Sequence, residues 1–226
     1  MNSAQRMNAG FSIVPEVLGT SEVDHLVSEL ERCSIHRSRA GARHLLSVPM
    51  ILALAHEPRL IALAAGVLGP EPVPFGATLF DKSAHSNWLV AWHQDTALPL
   101  RERRDVKGWG PWSKKEGVVY AHAPADALAG VVALRLHLDD STLENGPLRV
   151  LPGTHALGVL SDDQLHEVAQ RIQPVACRVG RGGVLIMRPL LVHASSKVGG
   201  DAPRRVLHFT YAASQVFGHG LYLRAA

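Results

Sequence analysis

Arg204-Arg205-Val206-Leu207-His208-Phe209-Thr210-Tyr211-Ala212 is the stretch on which the reading of this chain turns. Side chains alternate across a β-strand, so Arg204, Val206, His208 and Thr210 share one face and Arg205, Leu207, Phe209 and Tyr211 the other. The second face is apolar enough to pack against a core. The first is polar enough to line a site. Seven more short runs of branched and aromatic residues precede it, at 75–82, 87–92, 131–139, 148–151, 175–179, 183–188 and 190–194. Gly, Pro, Asn and Asp separate them, and one helix, expected at 161–172, interrupts them. Many short strands in one unit favour a sandwich, jelly roll or barrel over a parallel α/β sheet.

Residues 1–70 read as helical. Thr20 or Ser21 is placed to cap a helix carrying Val23, Leu26, Val27 and Leu30, with Asp24, three residues after Ser21, where a capping-box acid would stand. Two further helices are expected at 49–57 and 58–68, the second stopped by Gly69-Pro70. The expected fold is therefore mainly β with N-terminal helices: a helical layer over 1–70, then a double-stranded β-helix of the jelly-roll, cupin-like type over 71–226. All of it forms a single domain spanning 1–226. Residues 96–130 read as a long irregular insert, either a solvated surface loop or a lid. Arg101, Arg103, Arg104, Lys107, Lys114 and Lys115 lie there among Trp109, Trp112 and Tyr120.

The chain has 226 residues, 46% hydrophobic and 19% charged, with 23 basic and 20 acidic side chains. A net charge of +3 is too small for a dedicated nucleic-acid binder. Residues 1–10 lack the basic-then-apolar order of a secretory signal. The most apolar run, 50–68, is broken by His56-Glu57-Pro58-Arg59, so no membrane span is expected. Two cysteines, Cys33 and Cys177, give no disulfide framework and suggest a reducing, cytoplasmic setting. Histidine is over-represented, at 13 residues.

Trp92-His93-Gln94-Asp95 contains a His-x-Asp pair whose imidazole and carboxylate fall on one side of an extended strand. His193 lies near the end of another short strand, and Arg204 follows eleven residues later, after Val198-Gly199-Gly200-Asp201. A hairpin centred near Gly199 would set His193 and Arg204 opposite each other. Two histidines and a carboxylate make the facial triad suited to non-haem Fe(II), and three open positions on an octahedral ion remain for a chelating 2-oxo acid and O2. An arginine grips the far carboxylate of such an acid in a two-pronged way that lysine does not, and strand parity selects Arg204 over Arg205. Ser195, on the face of His193, adds a hydroxyl donor. His137-Leu138-Asp139, with Arg149 beyond the Asn145-Gly146 turn, forms a weaker rival constellation, in which His137 more simply lines the cavity. Gln94 points away from the metal and reads as structural. His25, His36, His44, His56, His85, His122, His166 and His219 have no partner pattern and read as surface or packing residues. His155 reads as a hydrogen-bonded turn histidine.

Taken in order, the Trp92–Asp95 motif, Asn145-Gly146-Pro147-Leu148-Arg149-Val150-Leu151-Pro152-Gly153-Thr154-His155, His193-Ala194-Ser195 and Arg204-Arg205 resemble the phytanoyl-CoA dioxygenase family. The similarity covers most of 75–212. It implies a double-stranded β-helix with Fe(II) on His93, Asp95 and His193, and with 2-oxoglutarate on Ser195 and Arg204. Arg135 falls where related enzymes tend to carry an aromatic residue against the cosubstrate. It is expected to hold 2-oxoglutarate or an acidic substrate, or to pair with Asp139. Arg43 is the nearest match to a basic residue the family places before its early helix. The implied reaction is hydroxylation of an aliphatic carbon of a small organic substrate, coupled to decarboxylation of 2-oxoglutarate to succinate and CO2. Related halogenases replace the carboxylate at position 95 with a small residue, and Asp95 is present here. Desaturation, cyclisation or epimerisation with the same cofactors stays open, as does a non-catalytic jelly-roll binding protein. Substrate identity and oligomeric state are not legible.

Overall fold

The computed structural model describes residues 7–35, 41–82, 88–197 and 202–224. Two antiparallel sheets face each other. The larger runs β1 (Phe11–Val14), β10 (Val184–Met187), β7 (Val131–His137), β12 (Arg204–Ala212) and β2 (Val73–Lys82). The smaller runs β3 (Val90–His93), β11 (His193–Ser195), β8 (Leu148–Val150) and β9 (Val175–Cys177). This is the double-stranded β-helix expected from the strand pattern.

Alternation on β12 sorts its residues as the sequence dictates. Leu207, Phe209 and Tyr211 face outward, onto α1 (Thr20–Arg32), α2 (Pro49–Ala55) and α3 (Pro58–Leu68), where they join Val23, Leu26, Ile51 and Leu60 in one buried cluster. Tyr211, fully buried, donates its hydroxyl to the Ala55 carbonyl at 2.8 Å, which ties the sheet to the end of α2. Burying side chains of this size stabilises the fold by roughly 1.5–3 kcal/mol each, which holds the helical layer in place. The inward faces of the two sheets bury Ala133, Leu148, Val150, Leu185 and Met187.

The sequence expectations need four adjustments. Residues 1–70 are not wholly helical: β1 adds an edge strand to the larger sheet by pairing with β10. Helix α1 begins at Thr20 with Gly19 as its cap, the Gly19 backbone N–H donating to the Glu22 carboxylate at 2.8 Å, so the cap lies before both Thr20 and Ser21. Residues 96–130 are structured, not irregular. They hold a three-stranded sheet of β4 (Ala97–Leu100), β6 (Val118–His122) and β5 (Trp112–Lys115), then α4 (Ala125–Ala129). Its basic residues partly stack on its aromatics, Lys115 over Tyr120 at 5.7 Å and Arg103 over Trp112 at 5.9 Å, which explains their interleaving. Lastly, His193 and Arg204 do not oppose each other on a hairpin. Strand β11 lies in the smaller sheet and β12 in the larger, so the chain crosses between layers; the turn at 198–201 lies outside the described residues.

Between β8 and β9, α5 (Asp162–Arg171) starts on a Ser161 cap reinforced by Gln164, close to its expected limits.

Candidate active site

Strands β3 and β11 pair so that His193 stands directly across from His93. Their rings lie 4.1 Å apart, centroid to centroid. The backbone N–H of Asp95 donates to the Pro189 carbonyl at 2.9 Å, which fixes the residue just past β3. Its carboxylate then reaches both imidazoles: Oδ1 lies 3.7 Å from His93 Nε2 and Oδ2 lies 3.6 Å from His193 Nε2. One ligand atom from each residue falls within 4.8 Å of the other two. Among the described residues this is the only group of three or more His, Cys, Asp or Glu so disposed. The rival set around His137 is not brought together.

Backbone carbonyls decide the tautomer of both histidines. His93 Nδ1 sits 2.9 Å from the Ala91 carbonyl and His193 Nδ1 sits 2.8 Å from that of Leu191. A carbonyl only accepts, so Nδ1 carries the proton and Nε2 keeps its lone pair turned toward Asp95. Burial disfavours the charged form of His193 and holds it below the ordinary histidine value. Burial alone would raise Asp95, but the electrostatic influence of the surrounding His193, His208, His93 and Arg135 outweighs it and leaves the carboxyl below its ordinary value. Its side chain is 42% exposed, into the cavity. Two neutral Nε2 donors and an ionised carboxylate on one side, open space on the other, fit an octahedral divalent iron.

The cavity, about 910 Å³, runs between the sheets and under the small β4-β6-β5 sheet. Arg204 lines it, 2% exposed, with Nε at 3.3 Å from the Asn145 carbonyl and Nη1 without a partner. Its neighbour Arg205 points the other way and grips Asp139 through Nε at 2.9 Å and Nη2 at 2.8 Å. Parity thus separates the two arginines as expected. Asp139 is taken by Arg205, so Arg135 does not pair with it. Arg135 instead donates to His208 Nδ1 at 3.0 Å, its cross-strand partner, and lies 5.0 Å over the Phe80 ring. Because guanidinium only donates, His208 must accept at Nδ1, and burial beside Arg135 pushes its pKa down to about 3. Neutral His208 therefore carries its proton on Nε2, in the region of Asp95 and His193.

Ser195 is buried on β11, two residues beyond His193, and accepts a hydrogen bond at 2.8 Å from Lys82 Nζ. His137 is buried with both ring nitrogens unpartnered, and burial lowers its pKa to about 3. Gln94 is structural in its bonds, reaching the Gly158 and Leu190 carbonyls and the Leu160 N–H. Arg43 stands on the cavity wall. It is brought there because the backbone of 41–42 pairs with Leu79 of β2. Gly41 has φ +120°, and a Cβ there would meet the Leu79 carbonyl at 1.8 Å.

Some contributors escaped the sequence reading. Lys82 ends a strand, where a lysine ordinarily reaches solvent. His44 and His122, read as surface or packing residues, line the cavity, His122 with Nδ1 at 2.6 Å from Thr96 Oγ1. Of the other histidines so read, His36 and His85 lie outside the described residues. His155 departs from its expectation as a hydrogen-bonded turn residue, since its Nδ1 is buried without a partner.

A profile described as phytanoyl-CoA dioxygenase (PhyH) matches residues 7–206. The chain belongs to the phytanoyl-CoA dioxygenase family. Within curated proteins it is 28% identical to L-proline trans-4-hydroxylase of Streptomyces griseoviridis over 184 residues, covering 70% of this chain. The chain spans 61% of the length of that relative. Among solved structures it is similar to apo EctD from S. alaskensis, with TM-score 0.72, 20% identity and coverage of 99% of this chain and 82% of that one. HygX from Streptomyces hygroscopicus, solved with nickel, 2-oxoglutarate and hygromycin B, matches with TM-score 0.69 and 19% identity over 95% of this chain and 87% of that one. These two likenesses show the fold that the phytanoyl-CoA dioxygenase family member described here shares with them.

Proposed function

We propose that this protein is an Fe(II)- and 2-oxoglutarate-dependent oxygenase that hydroxylates an aliphatic carbon of a small organic substrate. The observation that carries the reading is the convergence of His93, Asp95 and His193 beside a buried arginine whose Nη1 has no protein acceptor. His93, Asp95 and His193 would hold iron through two Nε2 atoms and one carboxylate. When bound, the iron couples O2 and 2-oxo acid decarboxylation to oxidation of a C–H bond. Arg204 and Ser195 bind the far carboxylate of 2-oxoglutarate: the guanidinium matches it in charge and planarity, and the inner sheet faces exclude water around it. Arg135 sets a second fixed positive charge nearer the metal cluster. Through His208 it keeps a neutral N–H donor there for bound oxygens of cosubstrate or substrate.

The cavity is large enough for a small metabolite, and the proline hydroxylase relative supports a polar one. Retention of Asp95 supports hydroxylation over halogenation. The whole chain acts as one unit, apart from nucleic acid and membrane, in a reducing cytoplasm; the small net charge and the free cysteines Cys33 and Cys177 support this. Among the described residues no single helix is long and apolar enough to cross a membrane.

The test is release of succinate from 2-oxoglutarate by purified protein with added Fe(II), and its stimulation across a panel of candidate substrates. Full activity in His193→Ala, or failure of the purified chain to bind a divalent metal, overturns the proposal.

A further inference from the structure

The function proposed above leaves open how the substrate is held, and the outer part of the cavity bears on that. Strand β6 pairs with β4 so that His122 stands across from Ala97 and Tyr120 across from Pro99, two and four residues beyond Asp95. At about 3.3 Å per residue, Tyr120 lies up to about 13 Å along the strand from Asp95. At that level the exposed residues Arg43, Lys115, Glu116 and Arg224 form the mouth of the cavity. Two segments close on each other there. Glu116, at the tip of the β5-β6 hairpin, and His44 both hold a left-handed backbone, with φ +50° and +58°, and their side chains meet at 3.5 Å. Arg224 Nη1 donates to the Gly117 carbonyl at 3.3 Å and anchors the same tip.

Charge at this mouth is one-sided. Arg43, Lys115 and Arg224 form no ion pair among the described residues, and Glu116, the acid beside them, is engaged by His44. A cleft lined by one sign of charge concentrates the opposite sign within it. Tyr120 supplies a directed donor at the same place. It is half-buried, Lys115 Nζ lies 5.7 Å from the centre of its ring, and its hydroxyl bonds to no described residue. Burial raises its pKa, so the phenol keeps its proton to donate, and the charges of Arg43, Glu116 and Arg224 act on it.

We infer that this mouth reads an anionic group on the substrate. The Tyr120 hydroxyl donates to a carboxylate or phosphate that Arg43, Arg224 and Lys115 surround, so the enzyme takes an acid in preference to its neutral counterpart. The oxidised carbon has to reach the metal cluster, and the separation along β4 then sets the acidic group several bonds away from it. Arg204 and Ser195 have no part in this contact.

The inference rests on the proposed oxygenase reading, and the experiment keeps the two apart. The full chain is loaded with Ni(II) and 2-oxoglutarate, a state that does not turn over. It is then titrated calorimetrically with hexanoate, hexyl phosphate and hexanamide, probes that share an apolar chain and differ in head group. Tyr120→Phe, Arg43→Met and Lys115→Met are measured beside Lys114→Met, each checked for a cooperative melt. Lys114 precedes Lys115 on β5, is exposed and lies off the cavity wall, so it controls for loss of charge alone. At least one anion should bind about tenfold or more tightly than hexanamide, and the tighter of the two identifies the head group. Its affinity should fall about tenfold in Tyr120→Phe and Arg43→Met, by a smaller factor in Lys115→Met, and stay unchanged in Lys114→Met. Equal binding of the three probes, binding of none, or anion affinity indifferent to the Tyr120 and Arg43 substitutions overturns the inference while the oxygenase reading stands. A chain that takes up neither Ni(II) nor 2-oxoglutarate at the loading step removes that reading, and this inference with it.

Discussion

Arg204 and Arg205 are adjacent in sequence and opposite in environment, so replacing each with methionine separates binding from stability. Arg205 makes two charge-assisted bonds to Asp139, at 2.9 and 2.8 Å, and the side chains are 22% and 16% exposed. Losing both, with Asp139 left half-buried and uncompensated, costs roughly 2–3 kcal/mol after allowance for partial solvent screening. For a chain of this size each kcal/mol lowers the melting temperature by roughly 2–4 °C, so Arg205→Met should melt roughly 5–10 °C lower. Arg204 contributes one long bond to Asn145 and sits near the positive charges of Arg135 and Lys82. Arg204→Met should therefore melt at or above the parent temperature. In binding the order reverses. A two-pronged carboxylate contact worth roughly 3 kcal/mol corresponds to a loss of roughly a hundredfold in 2-oxoglutarate affinity for Arg204→Met and little for Arg205→Met. Thermal melts and calorimetry on Ni(II)-loaded protein read both quantities. Equal destabilisation by the two substitutions, or loss of affinity in Arg205→Met alone, would refute the assignment of faces.

Three further outcomes are expected. Asp95→Ala should lower divalent-metal affinity by about a hundredfold while the metal-free melt stays unchanged, because its bond to Pro189 is made by the backbone N–H; equilibrium dialysis and a thermal melt check both. Lys82 titrates near 7 in the ligand-free fold against 10.5 when unfolded, so the unfolded chain binds the extra proton between those values and ligand-free stability from this residue rises with pH from about 7 to about 10.5. Denaturant melts of the parent minus Lys82→Met across that window should show the rise, and a flat difference counts against it. Tyr211→Phe leaves the buried Ala55 carbonyl without its donor and should cost roughly 1–2 kcal/mol with cosubstrate binding intact, measured by urea unfolding.

The strands, their faces and the His93–Asp95 pair were legible because each depends on a short-range rule. A period of two told Arg204 from Arg205 on β12 and set Leu207, Phe209 and Tyr211 together on the apolar face. His93 and Asp95 stood two residues apart, and the family pattern supplied His193. Residues 96–130 defeated the reading because β4, β5 and β6 are only four or five residues long and Pro99 lies inside β4, so their apolar alternation is too brief to stand out from a loop. The edge strand β1 was hidden for the same reason: Phe11–Val14 is four residues long and acquires its identity from β10.

The sequence by itself determined which side chains share a strand face, because alternation of Cβ direction is built into every extended backbone. Only the tertiary structure decided which faces meet. Strand β11 pairs with β3 in one sheet and β12 with β2 and β7 in the other, and that closure brings Lys82 to Ser195 across 113 positions and Arg135 to His208 across 73. Such contacts arise from long-range pairing within and between the sheets, for which no local period exists. That is why a strand-terminal lysine, ordinary in sequence, becomes a buried amine on the wall of the cavity that holds the metal cluster.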